Sequence, residues 1–209
     1  MRALLGLLLL LVQLAVFAPA RAPAQADDRV IVAFGDSLTS GLGVPADQTY
    51  PARLGERLRR EGYAYKVVNA GVSGDTTAGG LRRVDWALRL KPEIVILELG
   101  VNDALRGQNL ASVRANLDQL VARFQAAGAR VLVAGMRLPP NYGTPYAEDF
   151  LRLFGEVARA RNAPHIPFFL DGVGAIPHLN QADGIHPTAE GYAIVVNHLW
   201  PYLVPLLRK

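Results

Sequence analysis

Residues 30–43 read VIVAFGDSLTSGLG, a run of five apolar residues that stops at Gly35 and is followed by an acid and three hydroxyl side chains. A short apolar run that is rich in β-branched residues and bounded by glycine is typical of a buried strand that ends in a loop. In open α/β sheets, ligands bind outside the carboxyl ends of the strands. The segment therefore predicts a strand followed by a functional loop, in which Ser37 either reacts or caps the next helix.

The same alternation of short β-rich runs and longer amphipathic stretches continues along the chain. It predicts one α/β domain, with a five-stranded parallel sheet and helices on both faces in a three-layer α/β/α fold. The expected strands are Val30–Phe34, Lys66–Asn69, Ile94–Leu99, Arg130–Met136 and Ile166–Leu170. The expected helices are Tyr50–Glu61, Ala78–Leu90, Leu110–Ala127, Pro145–Arg161 and Thr188 to about Leu207, the last bent or broken by Pro201 and Pro205.

Residues 1–26 have the pattern of a secretory signal peptide. Arg2 precedes an apolar run that ends at Ala18, and a small-x-small sequence follows at residues 24–26. A membrane anchor is the alternative, but a membrane span needs about 20 apolar residues. We expect export, to the periplasm or beyond, with cleavage near Ala26. The mature chain is then a single domain of residues 27–209 without a stable membrane span.

Composition narrows the possible chemistry and the possible partners. The chain has no cysteine, so a covalent mechanism would use Ser, Thr, Lys or a carboxylate. Without the leader, 20 basic and 18 acidic residues remain, and this balance predicts no nucleic-acid partner. We expect no metal, since no metal-ligand spacing is present. We also expect no cofactor and a monomer. The basic clusters, which we expect to be solvated on helix surfaces, are Arg57, Arg59, Arg60 and Arg82, Arg83.

Polar or glycine-rich loops follow all five predicted strands and would meet at one edge of the sheet. Of the four histidines, His186 lies in such a loop, three residues after Asp183. A serine nucleophile needs a base and a group that orients the base, and this loop supplies both. The alternative is an Asx-type turn with a surface histidine. Gly74 and Asn102 are candidate oxyanion donors, although glycines also form turns and Asn-Asp pairs also begin helices.

Four blocks, taken together and in order, resemble those of the SGNH (GDSL-type) hydrolase superfamily, which has a flavodoxin-like fold. They are GDS at 35–37, SGDT at 73–76, GVND at 100–103 and DGIHP at 183–187. The longer stretches VVNAGVSGDTT, LELGVNDALRG and MRLPPNYGTPY are similar to the exported subgroup of acyl-CoA thioesterases, arylesterases and lysophospholipases. Val101 replaces a glycine that the resemblance leads us to expect, and we expect it to affect the substrate range more than the reaction type.

The resemblance implies that Ser37 is the nucleophile, His186 the general base and Asp183 its orienting partner. It implies an oxyanion hole formed by the N–H groups of Ser37 and Gly74 and the side chain of Asn102. The partner would be a small-molecule ester or thioester with an acyl chain. Apolar residues of the same loops are candidates for an acyl channel, and they are Leu105, Leu138, Pro139, Tyr142, Ile176 and Leu179.

Other functions stay open at this point. A carbohydrate O-acetyl esterase shares the same blocks and would release acetate from sugars. A flavodoxin-like binding module would use the loop GDSLTSG to hold a phosphate group. A catalytically silent surface protein is disfavoured, because the expected chemical groups occur together.

Overall fold

Apolar, β-branched runs form the strands of a five-stranded parallel sheet in the computed structural model, which describes residues 29–209. The predicted signal peptide lies outside the described residues. The strands pair in the order β2-β1-β3-β4-β5, which is the flavodoxin-like order. Their bounds are β1 Arg29–Gly35, β2 Tyr65–Gly71, β3 Ile94–Glu98, β4 Arg130–Ala134 and β5 His165–Ile166.

Seven α-helices connect and flank these strands within the described residues. Their bounds are α1 Ser37–Ser40, α2 Tyr50–Arg60, α3 Thr77–Leu88, α4 Val101–Leu105, α5 Leu110–Ala126, α6 Thr144–Ala160 and α7 Ala189–Leu203. Short 3₁₀ turns occur at Ala46–Gln48, Pro140–Tyr142, Pro177–Leu179 and Val204–Leu206. No helix in residues 29–209 has the length and apolar character needed to cross a bilayer.

The strand order explains why the helices form two layers. The chain moves from β1 outward to β2, then returns past β1 to β3 and continues to β5. Right-handed crossovers in opposite directions place their helices on opposite faces of a sheet. Accordingly α2 packs against α7, while α3, α5 and α6 pack against one another. The predicted α/β/α fold is confirmed.

The change of direction between β1 and β3 opens a crevice at the carboxyl edge of the sheet. Two short helices begin there: α1 directly follows β1, and α4 directly follows β3. The sequence analysis did not predict either one, because four or five residues are too few to show a helical period. Ser37 and Asn102 lie in these helices, so both come to the same edge as the loops after β2 and β5.

Two strands end two or more residues earlier than predicted. The fourth strand stops at Ala134 rather than at Met136, and the fifth stops at Ile166 rather than at Leu170. Pro167 has no N–H group to continue the pairing, so the chain leaves the sheet there. Gly135 N donates to Ile166 O at 2.8 Å, and this bond closes the end of the ladder.

The last helix also differs from its prediction. It continues through Pro201 but ends at Leu203, and the residues up to Leu206 form a 3₁₀ turn around Pro205. Proline removes one backbone donor and crowds the preceding turn, so two prolines four residues apart shorten the helix that was expected to reach Leu207.

Two of the basic residues that were expected to be solvated form hydrogen bonds with other elements of the fold. Arg83 on α3 has a side chain only 18% exposed. It donates to the carbonyl oxygens of Ala70 at 2.7 Å and Gly35 at 2.9 Å, and it forms an ion pair with Asp75. Arg57 donates to Asn197 at 2.8 Å and so joins α2 to α7. The expectation of a solvated face was wrong for Arg83, because its guanidinium binds these carbonyl oxygens and the Asp75 carboxylate and stacks on the Phe34 ring.

Candidate active site

Ser37 begins α1, but Asp36 caps this helix. The Asp36 Oδ1 atom accepts a hydrogen bond from the Leu38 N–H at 3.0 Å. The Ser37 hydroxyl is therefore free to face another group, and its Oγ lies 2.8 Å from His186 Nε2. The interpretation of Ser37 as a cap is wrong, because the preceding aspartate fills that position.

His186 and Asp183 form a turn and an ion pair at the same time. Asp183 Oδ1 accepts from the backbone N–H groups of Ile185 at 2.9 Å and His186 at 3.0 Å. Its Oδ2 lies 2.6 Å from His186 Nδ1. The Asx-type turn, which the sequence analysis gave as the alternative, thus presents the histidine to Ser37 rather than leaving it on the surface.

The charge of Asp183 sets the direction of the hydrogen bonds through the imidazole. Desolvation raises the pKa of Asp183, but the hydrogen bonds from the His186 and Ile185 backbone and from the imidazole outweigh it and lower the pKa to about 2. An ionised carboxylate only accepts, so His186 Nδ1 donates to it. The Nε2 atom of a neutral imidazole is then left to accept the Ser37 hydroxyl proton.

The three predicted oxyanion donors follow β1, β2 and β3. Ser37 is the first residue of a helix, so its N–H has no intrahelical acceptor. Gly74 has a φ of +77° in the turn after β2, a conformation that glycine adopts without strain. Asn102 lies in α4, where its Nδ2 donates to Asp36 Oδ2 at 2.9 Å. The Ser40 and Ser73 hydroxyl oxygens are 2.9 Å apart and tie the Gly74 turn to α1.

Two buried carboxyl groups lie behind Ser37, and the sequence analysis did not identify either. Asp36 and Glu98 are completely buried. Glu98 Oε2 accepts from Thr39 Oγ1 at 2.9 Å. Burial raises the pKa of Asp36 to about 6, and burial together with the Asp36 charge raises the pKa of Glu98 well above its usual range. The sequence did contain a signal for Glu98, because it is an acid inside the apolar run IVILEL at residues 94–99.

An apolar cavity of about 370 Å³ is lined by residues that follow β3, β4 and β5. Its wall includes Val101, which precedes Asn102, and Ile185, which precedes His186. The wall thus contains the sequence neighbours of two predicted site residues. The other lining residues are Leu105, Met136, Arg137, Leu138, Pro139, Phe168, Leu170, Gly174, Ala175 and Gly184.

Three of the six predicted channel residues line this cavity and three do not. Leu105, Leu138 and Pro139 are part of its wall. The Tyr142 hydroxyl lies 3.4 Å from the Leu105 carbonyl oxygen, so this ring supports a wall residue without belonging to the wall. Ile176 lines a separate cavity, and Leu179 is buried in the core. Residue type does not separate the two groups, because apolar loop residues also pack against the rest of the fold.

The remaining histidines do not reach the site. His198 Nε2 lies 2.9 Å from the Phe168 carbonyl oxygen, His165 is half-buried in β5, and His178 is exposed. Residues 29–209 contain no group of three or more His, Asp and Glu side chains placed to hold a metal ion.

Comparisons with known proteins agree with this geometry. The model of the GDSL-like lipase/acylhydrolase family matches residues 33–194. The chain belongs to the GDSL-like lipase/acylhydrolase family. It is 45% identical to the esterase TesA of Pseudomonas aeruginosa, over 88% of this chain and 92% of that protein. It is 35% identical to the thioesterase 1/protease 1/lysophospholipase L1 of Escherichia coli K12, over 88% of each chain.

A solved relative shows the same fold. The crystal structure of TesA matches this structure with a TM-score of 0.83 and a sequence identity of 45%. The match covers 86% of this chain and 100% of the TesA chain. Membership of the lipase/acylhydrolase family confirms three predictions: the family, the fold and a hydrolytic enzyme.

Proposed function

We propose that the protein is a serine esterase and thioesterase, which hydrolyses carboxylic esters and acyl thioesters through an acyl-serine intermediate. The observation that carries this proposal is the continuous line of contacts from Ser37 Oγ to His186 Nε2 at 2.8 Å and from His186 Nδ1 to Asp183 Oδ2 at 2.6 Å. The names of these two relatives, an esterase and a thioesterase and lysophospholipase, support the substrate class.

In the first step, Ser37 Oγ attacks the carbonyl carbon of the ester or thioester while His186 Nε2 takes the hydroxyl proton. The imidazole gains a positive charge, which the Asp183 carboxylate stabilises through Nδ1. Negative charge develops on the carbonyl oxygen. It is stabilised by the N–H groups of Ser37 and Gly74 and by the Asn102 amide.

The first step ends when the tetrahedral intermediate collapses. The bond from carbon to the alcohol oxygen or thiol sulfur breaks, and His186 gives its proton to the leaving group. Water then enters, His186 removes one of its protons, and the resulting hydroxide attacks the acyl-serine carbon. Collapse of that second intermediate releases the acid and returns the proton to Ser37.

The cavity supports an acyl chain as the bound part of the substrate. Its volume of about 370 Å³ and its largely apolar wall match an alkyl or aryl chain better than an acetyl group on a sugar. This favours the esterase and thioesterase function over the carbohydrate O-acetyl esterase. The Ser37–His186 contact likewise favours an enzyme over a phosphate-binding module.

The test is hydrolysis of p-nitrophenyl esters and acyl-CoA thioesters of graded chain length by the purified protein. Ser37→Ala is expected to reduce turnover to residual levels, and a phosphonate reagent is expected to add its mass to Ser37. Ser112→Ala, an exposed serine on α5, is the matched control and keeps wild-type turnover. Full activity in Ser37→Ala would exclude this mechanism.

We also propose that residues 1–26 are removed on export and that residues 27–209 work as a single monomeric domain. The leader pattern supports export, and the pairing of the five strands in one sheet supports a single domain. The intact mass of the exported protein is expected to begin at Asp27, and light scattering is expected to give the mass of one chain. An intact leader in the exported fraction would contradict the cleavage, and a dimer mass would contradict the monomer.

A further inference from the structure

The buried pair of Asp36 and Glu98 lies directly behind the proposed oxyanion hole. Asp36 precedes the nucleophile and accepts two hydrogen bonds, from the Leu38 N–H at 3.0 Å and from Asn102 Nδ2 at 2.9 Å. The Asn102 amide has a second N–H that remains for the substrate. Whatever fixes the Asp36 carboxylate therefore also fixes the position of the Asn102 donor.

Glu98 is the last residue of β3, and its side chain contacts the backbone of Asp36. Its Oε2 accepts from Thr39 Oγ1 at 2.9 Å and lies 3.4 Å from the Asp36 N–H. Its other oxygen, Oε1, is buried and has no hydrogen-bond donor among the described residues. The contact of Glu98 Oε2 with the Asp36 backbone N–H places the two buried carboxyl groups next to each other.

A proton on Glu98 explains the unpartnered oxygen. Two ionised carboxylates cannot bond to each other, because each can only accept, and a buried unpaired charge is costly. A protonated Glu98 becomes a donor, and the Asp36 carboxylate is a matching acceptor. Asp36 then stays ionised, held by Leu38, Asn102 and Glu98.

We propose that Glu98 is a positioning residue: its protonated carboxyl donates a hydrogen bond to Asp36 and so fixes the Asn102 amide for the oxyanion. This inference rests on the proposed function, since it assigns a role in the same reaction. Glu98 acts through Asp36 and Asn102, and it does not touch the substrate.

Burial and the charge of Asp36 oppose the ionisation of Glu98, whereas the Thr39 hydroxyl and the Asp36 N–H, both at its Oε2, favour it. The Tyr50 hydroxyl of α2 lies 3.3 Å from Thr39 Oγ1, and the Tyr192 hydroxyl of α7 donates to the Leu38 carbonyl oxygen at 2.9 Å. His186 acts on Asp36. Arg83 of α3 binds the Gly35 carbonyl oxygen and is already paired with Asp75. When alkaline pH removes the Glu98 proton, the pair gains a second buried negative charge and the Asn102 donor loses its fixed partner.

The experiment compares Glu98→Gln, Glu98→Leu and wild type by kcat, KM and pH profile on one p-nitrophenyl ester. We expect the kcat of the wild type to fall at alkaline pH. Glutamine keeps a donor but does not titrate, so Glu98→Gln is expected to lack this fall. Leucine removes the donor. We expect it to lower kcat about tenfold or more, with less change in KM, since loss of a whole oxyanion donor costs about 10²- to 10³-fold.

A double mutant separates positioning from general destabilisation. If Glu98 acts through Asn102, Glu98→Leu is expected to change kcat less than about threefold in an Asn102→Ala background. Glu93→Gln is the control. Glu93 precedes the same strand at the opposite end of the sheet and accepts from the Tyr65 hydroxyl at 2.8 Å. This variant is expected to lower stability and to keep the wild-type pH profile.

Two results would overturn the proposal: an unchanged alkaline limb in Glu98→Gln, or an equal loss of kcat from Glu98→Leu in both backgrounds. Because Glu98→Gln is isosteric, the first result is informative even where Glu98→Leu fails to fold. Ser37→Ala is assayed alongside. Full activity of that variant would refute the proposed function, whereas loss of activity there with either overturning result would refute only the role of Glu98.

Discussion

A single methyl group at residue 35 is expected to destabilise this protein by about 3 kcal/mol. An ideal Cβ on Gly35 would lie 2.0 Å from Thr39 Oγ1 and 2.6 Å from both the backbone oxygen and Oε2 of Glu98. Gly35 does not have a positive φ, so alanine meets no conformational penalty there. The effect of Gly35→Ala is therefore purely one of space.

The magnitude follows from what has to move. Overpacking a core typically costs about 1–3 kcal/mol, and a buried acceptor left without its donor adds about 1–3 kcal/mol. Thr39 and Glu98 are completely buried and bonded to each other, so neither side chain can turn away without breaking that bond. At this chain length, 3 kcal/mol corresponds to a fall in Tm of roughly 6–12 °C.

The assay is urea and thermal unfolding of Gly35→Ala beside Gly55→Ala. A Cβ on Gly55 in α2 meets nothing closer than 3.7 Å, so alanine is expected to stabilise the helix by about 0.5–1 kcal/mol. The Gly35 variant is also expected to lose turnover well below its Tm, because Ser37 lies two residues further on. Wild-type Tm and kcat in Gly35→Ala would refute the reasoning.

Three further changes have distinct expected outcomes. Asn102→Ala is expected to lower kcat about 10²- to 10³-fold with a smaller change in KM, and wild-type steady-state kinetics would remove Asn102 from the oxyanion hole. Val101→Gly widens the acyl cavity, so the preferred p-nitrophenyl ester is expected to become longer or more branched; an unchanged chain-length profile would exclude Val101 as a determinant. The pKa of Asp183 is about 2 in the folded protein and near 4 in an unfolded chain, so the folded state binds fewer protons between these values. Its contribution to stability is present above about pH 4 and is lost as the pH falls toward 2, and Asp183→Asn is expected to flatten that part of the unfolding free energy measured from pH 5 to pH 2.

The central strands of the sheet were predictable from the sequence, because their side chains are apolar along the whole strand. Val30–Phe34 and Ile94–Leu99 are continuous apolar runs because both faces of a parallel strand are covered, and both predicted strands match β1 and β3 to within one residue at either end. The triad contact was also predictable. Ser37 follows β1 directly, Asp183 and His186 lie in the loop between β5 and α7, and parallel strands bring their carboxyl ends to one edge.

Contacts made across the fold were not predictable in the same way. Pro167 ends β5, but the apolar residues after it pack in the core and so imitate a strand. Arg83 has the spacing of a surface residue, but its guanidinium donates to the carbonyl oxygens of Gly35 and Ala70 and pairs with Asp75, contacts that residue type and spacing do not predict. The lining of the apolar cavity was not predictable either, since whether Ile176 or Ile185 faces it depends on loop conformation rather than on residue type.

Burying Asp36 and Glu98 opposes stability, and the fold retains both. A flexible amide in water would have to reorient as charge develops on the substrate, and this reorganisation would cost part of the stabilisation that it supplies. An amide held by a buried carboxylate is already oriented, because the low dielectric around Asp36 strengthens that bond and no water competes for it. The same carboxylate caps α1 and so sets the position of Ser37. One buried side chain thus fixes the proposed nucleophile and a proposed oxyanion donor relative to each other. That geometric coupling explains why the acid lies in the buried turn between β1 and α1, where a neutral residue would cost less free energy of folding.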